Sequence, residues 1–219
     1  MMPPKIEGQG REECLARRWL SLCRRLGAES DPLAACSQIL AAYAQPSRHY
    51  HNLDHLCQCL AELDETSDNF GDVLAAEAAI WFHDFVYEPG AADNESRSAR
   101  KAGEVFRGLG LGKARIGKID RMIRATDHRL PPGSNDARLV CDIDLSVLGQ
   151  PPDRYEAYAD AIRCEAGLSD AEFRRRRADF LRSMLARPSI YSTELFRSRL
   201  ETQSRANMAR ELASLEAVR

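Results

Sequence analysis

Histidine is scarce in this chain, five residues in 219, and it is unevenly placed. His49, His51 and His55 fall within one seven-residue stretch, His83 stands directly before Asp84, and His128 follows Asp127. Imidazole binds transition metals and exchanges protons near neutral pH, so this clustering points to a metal centre with proton transfer beside it. Acids accompany the histidines. Trp81-Phe82-His83-Asp84-Phe85 closes a strongly apolar run from Val73, where a buried carboxylate needs a cationic partner. Val140-Cys141-Asp142-Ile143-Asp144-Leu145 places two more acids in an apolar setting, and their two-residue offset lets only one face a shared centre.

The elements that must carry these residues read as helices. Leu15, Trp19, Leu20, Cys23 and Leu26 recur at three- and four-residue intervals, and Gly27 follows as a stop. Asp31-Pro32 opens a second segment running to about Gln45. Further helices are expected over 53–65, 72–86, 94–108, 112–126, 135–148, 153–166, 169–186 and 192–217, separated by Gly and Pro. No sustained alternation of β-branched or aromatic residues appears, so the fold class is all-α, a compact multi-helix bundle. Residues 1–10 are expected as a flexible tail and 11–219 as one domain, with the chemistry in 48–144 and accessory helices after it.

Several side chains acquire roles on this frame. His51 and His55 share a face if the third helix reaches back to residue 51, whereas His49 points away. Cys57 and Cys59 point to nearly opposite sides of a helix, and no second CxC or CxxC completes a zinc site. All seven cysteines therefore read as reduced structural thiols. His128 either joins the site or interacts with the carbonyls at a helix end. Asp93 or Asn94 suits an N-cap, while Glu95 is positioned to turn towards the centre. Arg48, Arg97 and Lys101 are candidates for neutralising a phosphate, and Arg174 to Arg177 read as a solvated helix face.

The ordered set H…HD…D on helices resembles the HD-domain superfamily of metal-dependent phosphohydrolases. Tyr50-His51-Asn52-Leu53-Asp54-His55 is similar to the YHNxxH motif of its cyclic-nucleotide phosphodiesterases, His83-Asp84 to their HD pair, and Ala125-Thr126-Asp127-His128 to the segment that follows. The chain also resembles a family of uncharacterised bacterial proteins described as predicted HD-superfamily phosphohydrolases. Where the phosphodiesterases carry a second histidine before Pro-Gly, this chain has Glu88-Pro89-Gly90. The resemblance implies an all-α HD bundle and one or two divalent ions (Mn, Mg, Co, Ni, Zn or Fe) held by His55, His83, Asp84 and Asp144. It implies His51 as proton donor, and Glu95 and His128 are assigned with it to the catalytic group. The substrate would be a small phosphate mono- or diester, with nucleotides among the candidates. A di-iron oxygenase and a non-catalytic nucleotide-binding regulator are the alternatives.

A formal net charge of −2, from 31 basic and 33 acidic residues, gives no global attraction for nucleic acid or an anionic membrane. No run approaches the ~18 apolar residues of a membrane span, so a cytoplasmic protein is expected. The amphipathic segment from Ser192 is a candidate surface for packing against a second copy of the chain.

Overall fold

A computed structural model describes residues 8–129 and 131–217. Among these residues there are ten α-helices, two short 3-10 segments and no strand. The order is α1 (Gly8–Leu26), α2 (Leu33–Tyr43), α3 (Leu53–Thr66), α4 (Val73–Phe82), α5 (Asn94–Gly108), α6 (Lys113–Ala125), α7 (Asn135–Asp144), α8 (Pro152–Ala166), α9 (Asp170–Leu185) and α10 (Glu194–Ala217). The 3-10 segments follow α3 (Ser67–Asn69) and α7 (Leu145–Gly149). The all-α expectation holds. Helix α1 already runs from Gly8, inside the stretch expected as a tail, and residues 1–7 lie outside the described ones. No described helix is long and apolar enough to cross a membrane.

Helix α4 is the axis of the molecule, because its sequence is apolar on every side. Residues Ala75 to Phe82 are all buried, including Glu77, whose carboxylate pairs with Arg18 at 2.7 Å. A helix apolar all round must be enclosed by others, and α1, α3, α5, α6 and α7 surround it. Trp19 of α1 packs edge-on against Trp81 and Phe82, with ring centroids 5.5 and 6.0 Å apart, and Phe106 of α5 closes on Phe82 at 5.3 Å.

Local chemistry brings the ends of three helices together. Asp136, in the first turn of α7, accepts hydrogen bonds from the backbone of Gly71 and Asp72 at 2.8 and 3.0 Å. Asp72 is itself the N-cap of α4, accepting from Ala75 N, and Ser134 caps α7 by accepting from Ala137 N. Helices α4 and α7 thus start side by side, and since each is ten residues long, they end side by side too. Helix α3 leads through the 3-10 turn into the start of α4, so its beginning lies beside the end of α4. Its N-cap is Asn52, whose Oδ1 accepts from Asp54 N and His55 N.

The two apolar stretches expected as longer helices, 72–86 and 135–148, both stop early. At α4, His83 Nδ1 donates to the Ile80 carbonyl at 2.8 Å, and the Arg48 guanidinium takes the carbonyls of Asp84 (2.6 Å) and Phe85 (3.0 Å). At α7 the chain tightens into the 3-10 segment, which packs on α10. A Cβ on Gly149 would come within 2.6 Å of Leu200 Cβ, so only glycine allows that approach. Asp142 is fully buried and accepts from Ser192 N, Thr193 N and Thr193 Oγ1 at 2.7, 2.8 and 2.6 Å, anchoring the chain just before α10. Helix α10 buries Phe196, Ser204, Asn207 and Met208 within the molecule. Arg177 departs from the solvated face expected for its arginine run: it is buried, paired with Glu211 at 2.8 Å and bonded to Tyr158 Oη at 3.1 Å.

Candidate metal centre

His55 comes from the first turn of α3, His83 and Asp84 from the end of α4, and Asp144 from the last residue of α7. Their donor atoms converge. His55 Nε2 lies 3.1 Å from His83 Nε2, 3.4 Å from Asp84 Oδ2 and 3.3 Å from Asp144 Oδ1. His83 Nε2 lies 2.9 Å from Asp84 Oδ2 and 3.6 Å from Asp144 Oδ1. Donors bound to one first-row ion at 2.0–2.2 Å sit about 2.9–3.6 Å from one another, so these spacings suit a shared cation.

Three further observations bear on the fit. The carbonyl of Ile80 can only accept, so His83 Nδ1 carries a hydrogen and Nε2 is the nitrogen turned to the centre, the arrangement that orients metal-binding histidines. Asp84 Oδ2 is buried with no hydrogen bond of good geometry, although His83 Nε2 is within ion-pair distance. The C-terminal ends of α4 and α7 both face the centre and add partial negative charge, which favours a cation.

Electrostatics point the same way. Burial opposes the charged form of Asp84, yet His83, His51 and His55 hold its carboxyl well below the ordinary range. Asp144 is also held well below it against burial, through His128, His55 and His83. His83, in turn, is held well above the ordinary imidazole value despite burial, by Asp84, Tyr43 and Asp144. The carboxylates therefore demand positive charge where two Nε2 atoms face each other, and one ion coordinated by all four meets that demand.

Cys59, read from the sequence as a structural thiol, also stands beside this centre. Among the described residues, His55, Cys59, His83 and Asp144 form the group whose potential ligand atoms all lie within 4.8 Å of one another. Its Sγ is 3.7 Å from His55 Nε2 and 3.8 Å from Nδ1. The spacing that matters is the four residues from His55, one helical turn, and not the two from Cys57.

His51 precedes α3, so it does not share a helical face with His55, but its ring centroid is 5.8 Å from that of His55. Its Nδ1 lies 2.5 Å from Glu165 Oε1, and Glu165 Oε2 accepts from Tyr50 N and His51 N at 2.6 and 3.1 Å. Tyr87 stacks on the imidazole with centroids 4.0 Å apart. Glu165, from α8, is almost fully buried, and although burial opposes its charge, these bonds bring its carboxyl down to about 2. Nothing in the motifs announces it. The available signal is a carboxylate on the face that α8 buries with Tyr155 and Tyr158.

The remaining candidates divide. His128 Nε2 bonds Asp144 Oδ2 at 2.8 Å from a left-handed backbone (φ 57°), while Thr126, not His128, caps α6. Glu95 lines a pocket of about 220 Å³ with Ala91, Ala92, Asp127 and Arg129, and burial together with Asp127 and Asp84 raises its carboxyl above the ordinary value. Arg48 is no phosphate ligand, since its buried guanidinium is engaged by the carbonyls beyond α4. Arg97 pairs with Glu88 at 2.8 Å and Lys101 with Glu104 at 3.5 Å. Asp93 occupies the N-cap position of α5 without a capping bond, while Asn94 clasps Glu88 through two backbone hydrogen bonds. His49 is exposed. Comparison of the chain with protein-family models and with curated proteins gives no match.

Proposed function

We propose that the chain is a metal-dependent phosphohydrolase of the HD type that hydrolyses a phosphate mono- or diester, with nucleotides as candidate substrates. The observation that carries this reading is the convergence of His55, His83, Asp84 and Asp144 on one point, with the His51–Glu165 pair beside it. A divalent ion at such a centre supplies Lewis acidity at a phosphoryl oxygen and a water that is nucleophilic near neutral pH.

The chain's own residues supply the rest. His55 and His83 would hold the ion through Nε2, and Asp84 and Asp144 through carboxylate oxygens. Ile80 and His128 fix the orientation of His83 and Asp144 from outside. Glu165, ionised, can only accept, so His51 Nδ1 keeps its hydrogen and Nε2 is left to exchange a proton with substrate. His51 is thereby held, between Glu165 and the Tyr87 ring, to protonate the departing oxygen.

The test is metal-stripped protein reloaded with Mn²⁺, Mg²⁺, Co²⁺, Ni²⁺, Zn²⁺ or Fe²⁺ and assayed on phosphomonoesters, phosphodiesters and nucleotides. Ion-dependent release of phosphate or nucleotide monoester is expected. Calorimetric binding of nucleotides with no turnover under any ion would identify a binding module instead. The alternative, a di-iron oxygenase, requires His128 to leave Asp144 and serve as a ligand, and it predicts two irons per chain and oxygen consumption.

A further inference from the structure

We infer that Cys59 gives this centre a sulfur ligand, making it a site for thiophilic divalent ions (zinc, cobalt or iron) in preference to magnesium or manganese. The inference rests on the metal-centre reading above and adds the class of ion. Four of the donors form a group that is mixed in kind: two imidazoles, one carboxylate and one thiol, with His55, Cys59 and His83 buried. Magnesium and manganese favour oxygen donors, whereas sulfur selects zinc and other softer ions. A thiol in that position therefore bears on which ion binds, whatever reaction the site performs.

The placement follows from helix geometry. Cys59 is one turn beyond His55 on α3 and enters from the helix that delivers His55, whereas Asp84 comes from the end of α4. The sulfur stands 3.7 Å from His55 Nε2. A metal–sulfur bond is about 2.3 Å, and an ion about 2.1 Å out along the Nε2 axis would leave the sulfur, as it stands, roughly 2 Å short of that bond. Sγ is nearly equidistant from both ring nitrogens, so it flanks the imidazole and does not lie on the Nε2 axis. Cysteine has a single side-chain torsion to its sulfur, and turning about it is the movement that ligation by Cys59 requires. On binding, the sulfur–hydrogen bond breaks, the sulfur keeps the electron pair as thiolate, and the proton passes to solvent.

Cobalt(II) provides the test. The metal-stripped chain is titrated with Co²⁺ while ligand-field bands report uptake and near-ultraviolet thiolate-to-cobalt charge transfer reports sulfur ligation. The expected result is both signals in the natural chain. The charge-transfer band is lost in Cys59→Ser and retained in Cys57→Ser, and the Zn²⁺-over-Mn²⁺ affinity ratio of Cys59→Ser falls by about ten- to hundredfold. Ligand-field bands without charge transfer in the natural chain overturn the sulfur ligand and leave the metal centre standing. No cobalt uptake at all overturns both. The decisive spectrum is that of the unsubstituted protein, so misfolding of a variant does not blunt it.

Discussion

His51 and His83 lie in the same site but have different partners, and the difference can be measured. His83 has its Nδ1 on a backbone carbonyl and its Nε2 among carboxylates, whereas His51 has its Nδ1 on Glu165. His83→Ala or Asp84→Ala is expected to lose both bound metal and turnover. His51→Ala is expected to keep the metal and lose about 10²–10⁴-fold in kcat, the usual contribution of a positioned acid. Metal content by mass spectrometry alongside kinetics checks the division, and equal metal loss in all three variants would defeat it. Glu165 adds a pH signature. Its folded-state pKa of about 2 is below the ordinary carboxylate value, so the native chain binds fewer protons than the unfolded chain between the two values. Its stabilising contribution is complete above the ordinary value and is lost as pH falls towards 2. Thermal melts of Glu165→Gln should therefore show a shallower acid slope than the natural chain, and parallel slopes would contradict this. The four converging donors were legible because they lie in three short, chemically odd runs: HNLDH, HD and DID. Glu165 was not, because it lies 114 residues from His51 and a glutamate on a charged helix has no distinguishing mark until its neighbours are known. Cys59 is hard to read for a different reason: it follows His55 closely, but its two-residue offset from Cys57 and the lack of a second CxC or CxxC point to a structural thiol, and its one-turn spacing from His55 counts only once α3 is in place.

Elements are placed by carboxylates that sequence periodicity does not register. Asp136 sets α7 level with α4, and Asp142 secures the entry to α10. The pairing of Asp142 with Asp144 in the DID run shows how two residues can separate a structural acid from a functional one. Asp142 turns to the α10 side and takes three donors, while Asp144 turns to the histidines. The sequence allowed one of them to face the centre but could not say what the other was for, since its partners are 50 and 51 residues away. Asp142→Ala should cost about 2–4 kcal/mol, because the half-buried backbone donors at Ser192 and Thr193 lose a charged acceptor. Denaturant unfolding would register the loss, and amide exchange should rise first at the start of α10. A variant within 0.5 kcal/mol of the natural chain, roughly the range of ordinary surface substitutions, would show that the anchor is dispensable. Helix existence was readable from the spacing of apolar residues, but the ends of α4 and α7 were not. Both stop where a side chain or a tight 3-10 turn captures carbonyls that continued helix would have used.

At the scale of the whole molecule, the centre draws polar side chains from three helices to one point. His55 brings α3, His83 and Asp84 bring the end of α4, and Asp144 brings α7, which leads through the 3-10 segment to α10. The same enclosed α4 that buries Trp81 and Phe82 therefore ends in charge that packing alone cannot satisfy. An ion bound there acts as a crosslink present in the native state and absent from the unfolded chain, so its binding energy is added to folding stability. At an ion concentration a hundredfold above Kd the gain is about 2.7 kcal/mol. For a chain of this size, that corresponds to a rise in Tm of roughly 5–10 °C. Differential scanning calorimetry of the stripped chain with increasing Zn²⁺ or Co²⁺ should show a Tm that climbs with the logarithm of free ion. In Asp84→Ala the climb should be much reduced, because the remaining donors come without the carboxylate that balances the ion's charge. Arg182→Ala is the control: its exposed guanidinium pairs with Asp179 and Glu216 on the outer faces of α9 and α10, so the full ion-dependent rise should persist. A Tm indifferent to every divalent ion in the natural chain would mean that the converging donors are closed by protons, and that the buried charge at the end of α4 is a cost the fold carries without a metal.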